Sequence, residues 1–457
     1  MEPVPPTGPV ELASLPNEIL LSIADYLDEP CIGSLASANS HLNTVFTPYL
    51  YARNVKRSGA SALWWAIKRG ERATAQKSLD AGADLDAQPP LKYRDPFSAG
   101  HFAAYLATRW LGPSLTRRGI DKGEEQKRAD LLLFLIDNGM SVDAKCGNDA
   151  STVVQHAARV GNDELVFRLI DKGADINVIS SLKQTLLHDA AKLCKAELIS
   201  LLINRGLDIH ARDGGGFTPL HQAALGKNEA TVRTLIERGA DINCTSNDGA
   251  SPLLLAAAVR HSGPVIELLV RNGADVNHRA HNQATPLHIA TDKGYLEVVL
   301  ALVEHGANVD VAQHDGNTPL HFMLRLPHSE ANLELIKLLI KKGADVNSQN
   351  NRGASPLHTA AATMYLDAVR LLVEHGAAVN KQDALGFTAL HFAGTGTEIR
   401  RDLATILLEN GADMRLKNNS GFQALNASLW QSRDDNEWIE KALAKFGGND
   451  QEANAEN

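Results

Sequence analysis

Six histidines, His188, His221, His288, His321, His358 and His391, recur along the 457-residue chain at a nearly regular spacing. Imidazoles in such a series could ligate zinc or relay protons. Equivalent atoms in stacked helical units, however, lie about 8–10 Å apart. Zinc needs its nitrogens within about 2.1 Å of the metal, so neighbouring rungs cannot share an ion. The expectation is therefore structural, with each ring bonded to the loop that precedes its helix. The glycine-rich stretches "DGGGF" from Asp213 and "GTGTE" from Gly394 lack the G-K-S or G-K-T ending that cradles phosphate. Cys31, Cys146, Cys194 and Cys244 show no C-x-x-C pair, which suggests reduced thiols in a cytosolic or nuclear setting. No Ser/His/Asp or Cys/His grouping stands outside the repeated phrase, so no nucleophile is expected. The reading is a protein without catalytic activity, metal or cofactor, whose chemistry is binding.

The elements that carry these histidines follow from the phrase around them. A sequence close to T-P-L-H-x-A-A starts at Thr152, Thr185, Thr218, Ser251, Thr285, Thr318, Ser355, Thr388 and Gln423, mostly 33 or 34 residues apart. A second series, glycine in G-A-D or G-A-N, keeps the same interval at Gly173, Gly206, Gly239, Gly273, Gly306, Gly343, Gly376 and Gly411. The Thr or Ser hydroxyl can cap a helix, and Pro at the first helical position loses no hydrogen bond. A second helix follows, as in Leu296, Val299, Leu300 and Val303, and Gly306 ends it in the left-handed conformation. Basic residues before the glycine, Lys172, Arg205, Arg238 and Lys342, suit the negative helix end. The predicted unit is helix, turn, helix and extended loop, and the predicted fold is an all-α solenoid.

Reading outward, "SALWWAIKRG" from Ser61 with Gly82 and "SAGHFAAYLA" from Ser98 with Gly139 are two degenerate copies, the second carrying a polar insertion near 110–128. With "QALNASLW" from Gln423 leading to Gly447, about eleven units fill residues 58–448. The first ten residues and the polar tail 449–457 are expected to be disordered. A net charge of −9 without a basic stripe argues against nucleic acid. No apolar run reaches about eighteen residues, and the N-terminus has no leader pattern, so a soluble, intracellular protein away from membranes is expected.

Residues 11–52 do not obey the repeat. Pro16 suits a helix start, with Ile19, Ile23 and Leu27 at i, i+4 and i+8 and Leu20 beside them. Pro30 begins a second short helix bearing Ile32 and Leu35, and Leu42, Val45 and Phe46 suggest a third. Three short helices are too small to hold a core alone, so they must lean on something, for which Trp64 and Trp65 are apolar enough. A cap over the first repeat is one use for such a segment.

The repeated unit resembles the ankyrin repeat, most clearly in "FTPLHQAALGKNEATVRTLIERGADIN" from Phe217 and "ATPLHIATDKGYLEVVLALVEHGANVD" from Ala284. The N-terminal segment resembles the F-box through Leu15, Pro16, Glu18, Ile19, Leu20, Ile23, Tyr26, Leu27, Leu35, Asn39 and Leu42, and departs from it at Ser40 and His41. An F-box before a long ankyrin array resembles an architecture common in filamentous fungi. The resemblance implies a substrate receptor of a cullin-RING ubiquitin ligase, cytoplasmic or nuclear, and a monomer outside that complex. Leu15, Pro16, Ile19, Leu20, Ile23, Leu27 and Leu35 would then bind the adaptor subunit. The alternative is an ankyrin scaffold or inhibitor that holds a partner without ubiquitin transfer. In either case the target site is expected on loop tips and first helices, at Phe217, His281, His314, Arg325, Arg352, Leu385, Phe387 and Phe422, because exposed aromatics on loops are costly unless they bind or pack.

Overall fold

The computed structural model describes residues 12–27, 29–58, 61–85, 122–146, 151–393, 397–425 and 433–446. The N-terminal decapeptide, the weak copy starting at Ser98, most of the 110–128 insertion, Gly394, Gly447 and the tail lie outside the described residues. The chain divides into two compact units, 1–214 and 215–457.

The first unit opens with α1 (Asn17–Tyr26), α2 (Glu29–Ala38) and α3 (Ser40–Ser58). Leu20 and Ala24 of α1, Ile32 and Ala36 of α2, and Leu42 and Phe46 of α3 close one small core. The third helix is 19 residues long rather than short. The expected boundary at residue 52 therefore falls inside a continuous helix. Its far half packs on α4 (Ser61–Arg69) and α5 (Arg72–Asp80), supplying the support that so small a core needs. Trp64 is fully buried in α4, whereas Trp65 is 42% exposed with the Arg69 guanidinium 5.0 Å above its ring. Only the first of the two tryptophans is buried, so Trp65 is not available as an apolar support in the way expected. Beyond the helix Lys122–Asp137, the pairs Val153–Arg159 with Asp163–Asp171 and Leu186–Leu193 with Ala196–Asn204 show the repeat. A two-stranded antiparallel pair, Lys145–Cys146 with Ser151–Thr152, is a loop feature and forms no wider sheet among the described residues.

The second unit stacks helix pairs that begin at Pro219, Pro252, Pro286, Pro319 and Pro356. Each Thr or Ser ahead of these prolines is extended at ψ of 163–168°, as an N-cap requires. Gly306, at φ 85°, terminates its helix in the left-handed region as anticipated. Thr388 introduces only a 3-10 helix, Ala389–Ala393. At Gln423 the phrase starts no described helix, and the residue instead bridges Lys417. The interval from Thr318 to Ser355 is 37 residues, and the extra length falls between the two helices of that repeat. Tyr365 of the next repeat pins this longer loop, its hydroxyl donating to the Ser329 carbonyl at 2.9 Å and its ring stacked 4.2 Å from that of His328.

Candidate protein-binding surfaces

The histidine series is a set of inter-repeat struts. Nδ1 accepts the backbone N–H of the capping residue three positions earlier, at 3.1 Å from Thr218 to His221, 3.2 Å from Thr285 to His288 and 3.0 Å from Thr388 to His391. The Nε2 proton is donated forward into the following repeat, from His221 to the Ala250 carbonyl at 2.9 Å, His288 to Asn317 at 3.2 Å, His321 to Ala354 at 3.1 Å, and His358 to Phe387 at 2.9 Å. The T-P-L-H phrase foretells only the first of these two bonds. With both nitrogens engaged the ring is held neutral, and burial lowers the pKa of His288 to about 4. Burial likewise depresses His321 and His358. Among the described residues no group of His, Cys, Asp and Glu could hold a metal.

The cysteines follow the same logic. Cys194 donates its thiol hydrogen to the Ala158 carbonyl at 3.2 Å, and burial pushes the thiol pKa far up, leaving it unreactive. Cys244 Sγ lies 3.7 Å from His221 Nδ1, but that nitrogen already accepts the Thr218 amide and cannot serve as a free base. An open cavity of about 720 Å³ beside α3 and α5 is lined by Asn43, Thr47, Pro48, Lys77, Asp80 and Gly82, which form no catalytic grouping.

Two surfaces remain. On the N-terminal helices, Pro16 and Ile19 are exposed, the latter by 48%, while Leu15, Ile23, Leu27 and Leu35 are half-buried with accessible edges. Leu27 and Leu35 join Pro30, Cys31 and Ser34 around an open groove of about 480 Å³. Leu20 does not belong to this surface. It is fully buried in the core that α1 forms with α2 and α3.

On the second unit the expected contact residues separate into two kinds. Phe217 and Phe387 are half-buried with their rings edge-on to the histidine of their own cap, 5.5 Å from His221 and 5.4 Å from His391. They are packing residues, contrary to the expectation. Leu385 and Phe422 are 64% and 52% exposed on adjacent loops. His281, His314 and Arg352 are exposed at loop tips whose main chains tie successive loops together, as in His281 N–H to the Asp248 carbonyl at 3.1 Å and His314 N–H to Asn282 at 3.1 Å. Arg325 is exposed but lies past the first helix of its repeat, away from the tips.

Three residues not named from the sequence form an apolar register of their own. Leu255, Ile289 and Phe322 occupy one register in successive first helices and are all half-buried. Leu255 and Ile289 pack against Ala250, Leu254 and Ala280, and the Phe322 ring stands edge-on to His288 at 6.0 Å, so this register packs successive repeats together. In the flanking repeats that register holds Gln222 and Thr359. The signal was the variable position of T-P-L-H-x-A, where three consecutive apolar side chains interrupt a polar pattern. In the first unit Ile179 and Leu182, 63% and 59% exposed on one loop, form a second apolar tip.

Comparison with known proteins agrees with the helix-pair geometry. The family model for ankyrin repeats (3 copies) matches residues 125–213, 154–246, 187–280, 253–331 and 328–418, together more than half of the chain. The matched residues begin beyond α1–α5, and nothing in the match supports the F-box resemblance or a fungal setting. No curated protein matches the chain significantly. A solved structure, the crystal structure of the human ASB11 ankyrin repeat domain, is 27% identical, covers 50% of this chain and 99% of its own, and superposes with a TM-score of 0.43.

Proposed function

The chain belongs to the ankyrin-repeat family, and on that premise we propose that it is a non-catalytic substrate receptor of a cullin-RING ubiquitin ligase. The array binds a target protein, and the N-terminal helices dock on the ligase's adaptor subunit. The observation that carries the second half is the division of labour within α1 and α2. Leu20, Ala24, Ile32 and Ala36 are buried in the core, whereas Leu15, Leu27 and Leu35 pack at its edge and leave apolar surface accessible, together with the exposed Pro16 and Ile19. A helical cap whose only task was to cover the first repeat would have no use for an accessible apolar rim, because exposed apolar groups gathered in one patch mark an interface. The target-binding half rests on the exposed Leu385 and Phe422, with His281, His314 and Arg352 at the rim to select charge.

The test is Ile19→Asp in the full-length protein, a substitution at an exposed position that leaves the core intact. Truncating or charging an interface anchor costs about 2 kcal/mol or more. Adaptor affinity is therefore expected to fall by roughly thirtyfold or more with an unchanged melting midpoint. Adaptor binding that is absent in the parent protein, or unaffected by Ile19→Asp, would replace the receptor reading with that of an ankyrin scaffold or inhibitor.

A further inference from the structure

Two consecutive residues of α3 bond to the ends of two different helices. Arg53 reaches back to the C-terminus of α1, its Nη1 donating to the Ala24 carbonyl at 3.0 Å and to the Leu27 carbonyl at 2.7 Å. Asn54 reaches forward to the N-terminus of α4, its Oδ1 accepting the Ala62 N–H at 2.9 Å and its Nδ2 donating to Ser61 Oγ at 2.8 Å. The chemistry suits each end. The last carbonyls of a helix lack intrahelical donors and carry partial negative charge, which a guanidinium satisfies. The first N–H groups lack acceptors, which an amide oxygen satisfies. Neighbouring residues on a helix diverge by about 100°, so one short stretch of α3 can address both partners. One turn before Arg53, Tyr49 donates its hydroxyl to Asp25 of α1, adding a further tie on the same side.

We propose that Arg53 and Asn54 are positioning residues that lock the N-terminal docking helices to the first helix pair of the repeat region, so that α1 to α4 move as one body. Within the first unit α3 is then a rigid splice. Its consequence for the protein rests on the receptor reading, because ubiquitin transfer rewards a constant distance between docking site and cargo. The locking itself does not depend on that reading.

The experiment uses the full chain with spin labels on unnatural side chains at the exposed positions Ser22 of α1 and Lys68 of α4, and reads the distance distribution between them. The parent should give one narrow distribution. Arg53→Ala and Asn54→Ala should each at least double its width, Arg53→Lys should recover part of the narrowing because it keeps a cationic donor, and Lys56→Ala, at an exposed neighbour, should leave it unchanged. In the same variants adaptor affinity should stay within twofold of the parent, while ubiquitin transfer to bound target falls several-fold. Equal widths in the parent and in both alanine variants would overturn the proposal, as would equal widening by Lys56→Ala. If a variant fails to fold, Ser61→Ala, which removes the acceptor of the Asn54 Nδ2 bond and leaves the bond to Ala62 N–H, decides it by the same criterion. An adaptor that binds none of the proteins would refute the receptor reading and leave the distance measurement to judge the splice alone.

Discussion

Gly353 and Gly306 both have positive φ, at 72° and 85°, but they need glycine for different reasons. A Cβ built on Gly306 meets nothing within 4 Å, so alanine there would cost only the left-handed strain of an L-residue. That strain is about 1–2 kcal/mol. A Cβ on Gly353 would sit 2.6 Å from the Ala384 nitrogen and 3.0 Å from the Asp383 carbonyl carbon, both backbone atoms of the next loop. The loops would have to part, straining the bond from Ala384 N–H to the Arg352 carbonyl, now 2.9 Å. Overpacking adds about 1–3 kcal/mol and the lost loop-to-loop hydrogen bond about 1 kcal/mol more. Gly353→Ala should thus destabilise by roughly 3–6 kcal/mol against about 1–2 kcal/mol for Gly306→Ala. Repeat arrays unfold in segments, so a global midpoint alone is a blunt measure. Amide hydrogen exchange resolved by residue is the better assay. Exchange at Ala384 should accelerate strongly in Gly353→Ala and little in Gly306→Ala. Equal destabilisation of the two variants, or an unchanged Ala384 amide, would refute the close-approach argument.

Three further outcomes are expected. Asp310 stands where Asn277 and Asn347 donate to the carbonyls of Gly306 at 3.4 Å and Gly376 at 3.0 Å, and burial together with the Asp345 carboxylate holds its pKa above the usual range. A raised carboxyl pKa means the folded state binds the proton more tightly, so stability falls as pH rises through that window. Asp310→Asn should raise the urea midpoint at pH 7 by an amount worth about 0.5 kcal/mol, small because solvent screens this exposed carboxylate, and the gain should shrink in acid. His288, lowered to about 4 by burial, contributes stability that is complete above its unfolded pKa and lost as pH drops from 6.5 toward 4. His288→Gln should flatten that slope without unfolding the protein, since Gln155 already accepts the Thr152 amide at 3.1 Å and donates to the Gln184 carbonyl at 3.2 Å in the equivalent place. Replacing Phe387 with Ser should lower the folding midpoint by about 3 kcal/mol worth of stability. Phe422→Ser should leave the midpoint alone and reduce the target co-purified from cells, and the opposite pattern would reverse the assignment of the two rings.

What could be read from the sequence depended on whether the relevant contact was local. The capping residue and its histidine are three positions apart, so their partnership was visible in T-P-L-H. The glycine ending the second helix was equally local. The forward bond from each histidine spans 29–33 residues and emerged only with the stack. Leu20 was misplaced because a ten-residue amphipathic helix with Ile19, Leu20 and Ile23 on adjoining faces does not reveal which face meets its neighbours and which remains free. The length of α3 was hidden by Pro48, a residue that usually ends a helix and here lies inside one. Arg53 gave no signal at all, since its partners lie 26 and 29 positions upstream. The three phenylalanines, by contrast, could have been sorted in advance. Phe217 and Phe387 each precede a histidine by four residues, whereas Phe422 is followed at that distance by Asn426. A ring with a cap histidine to lean on becomes part of the fold, and the one without it is left on the surface, where an apolar side chain gains only by meeting another protein.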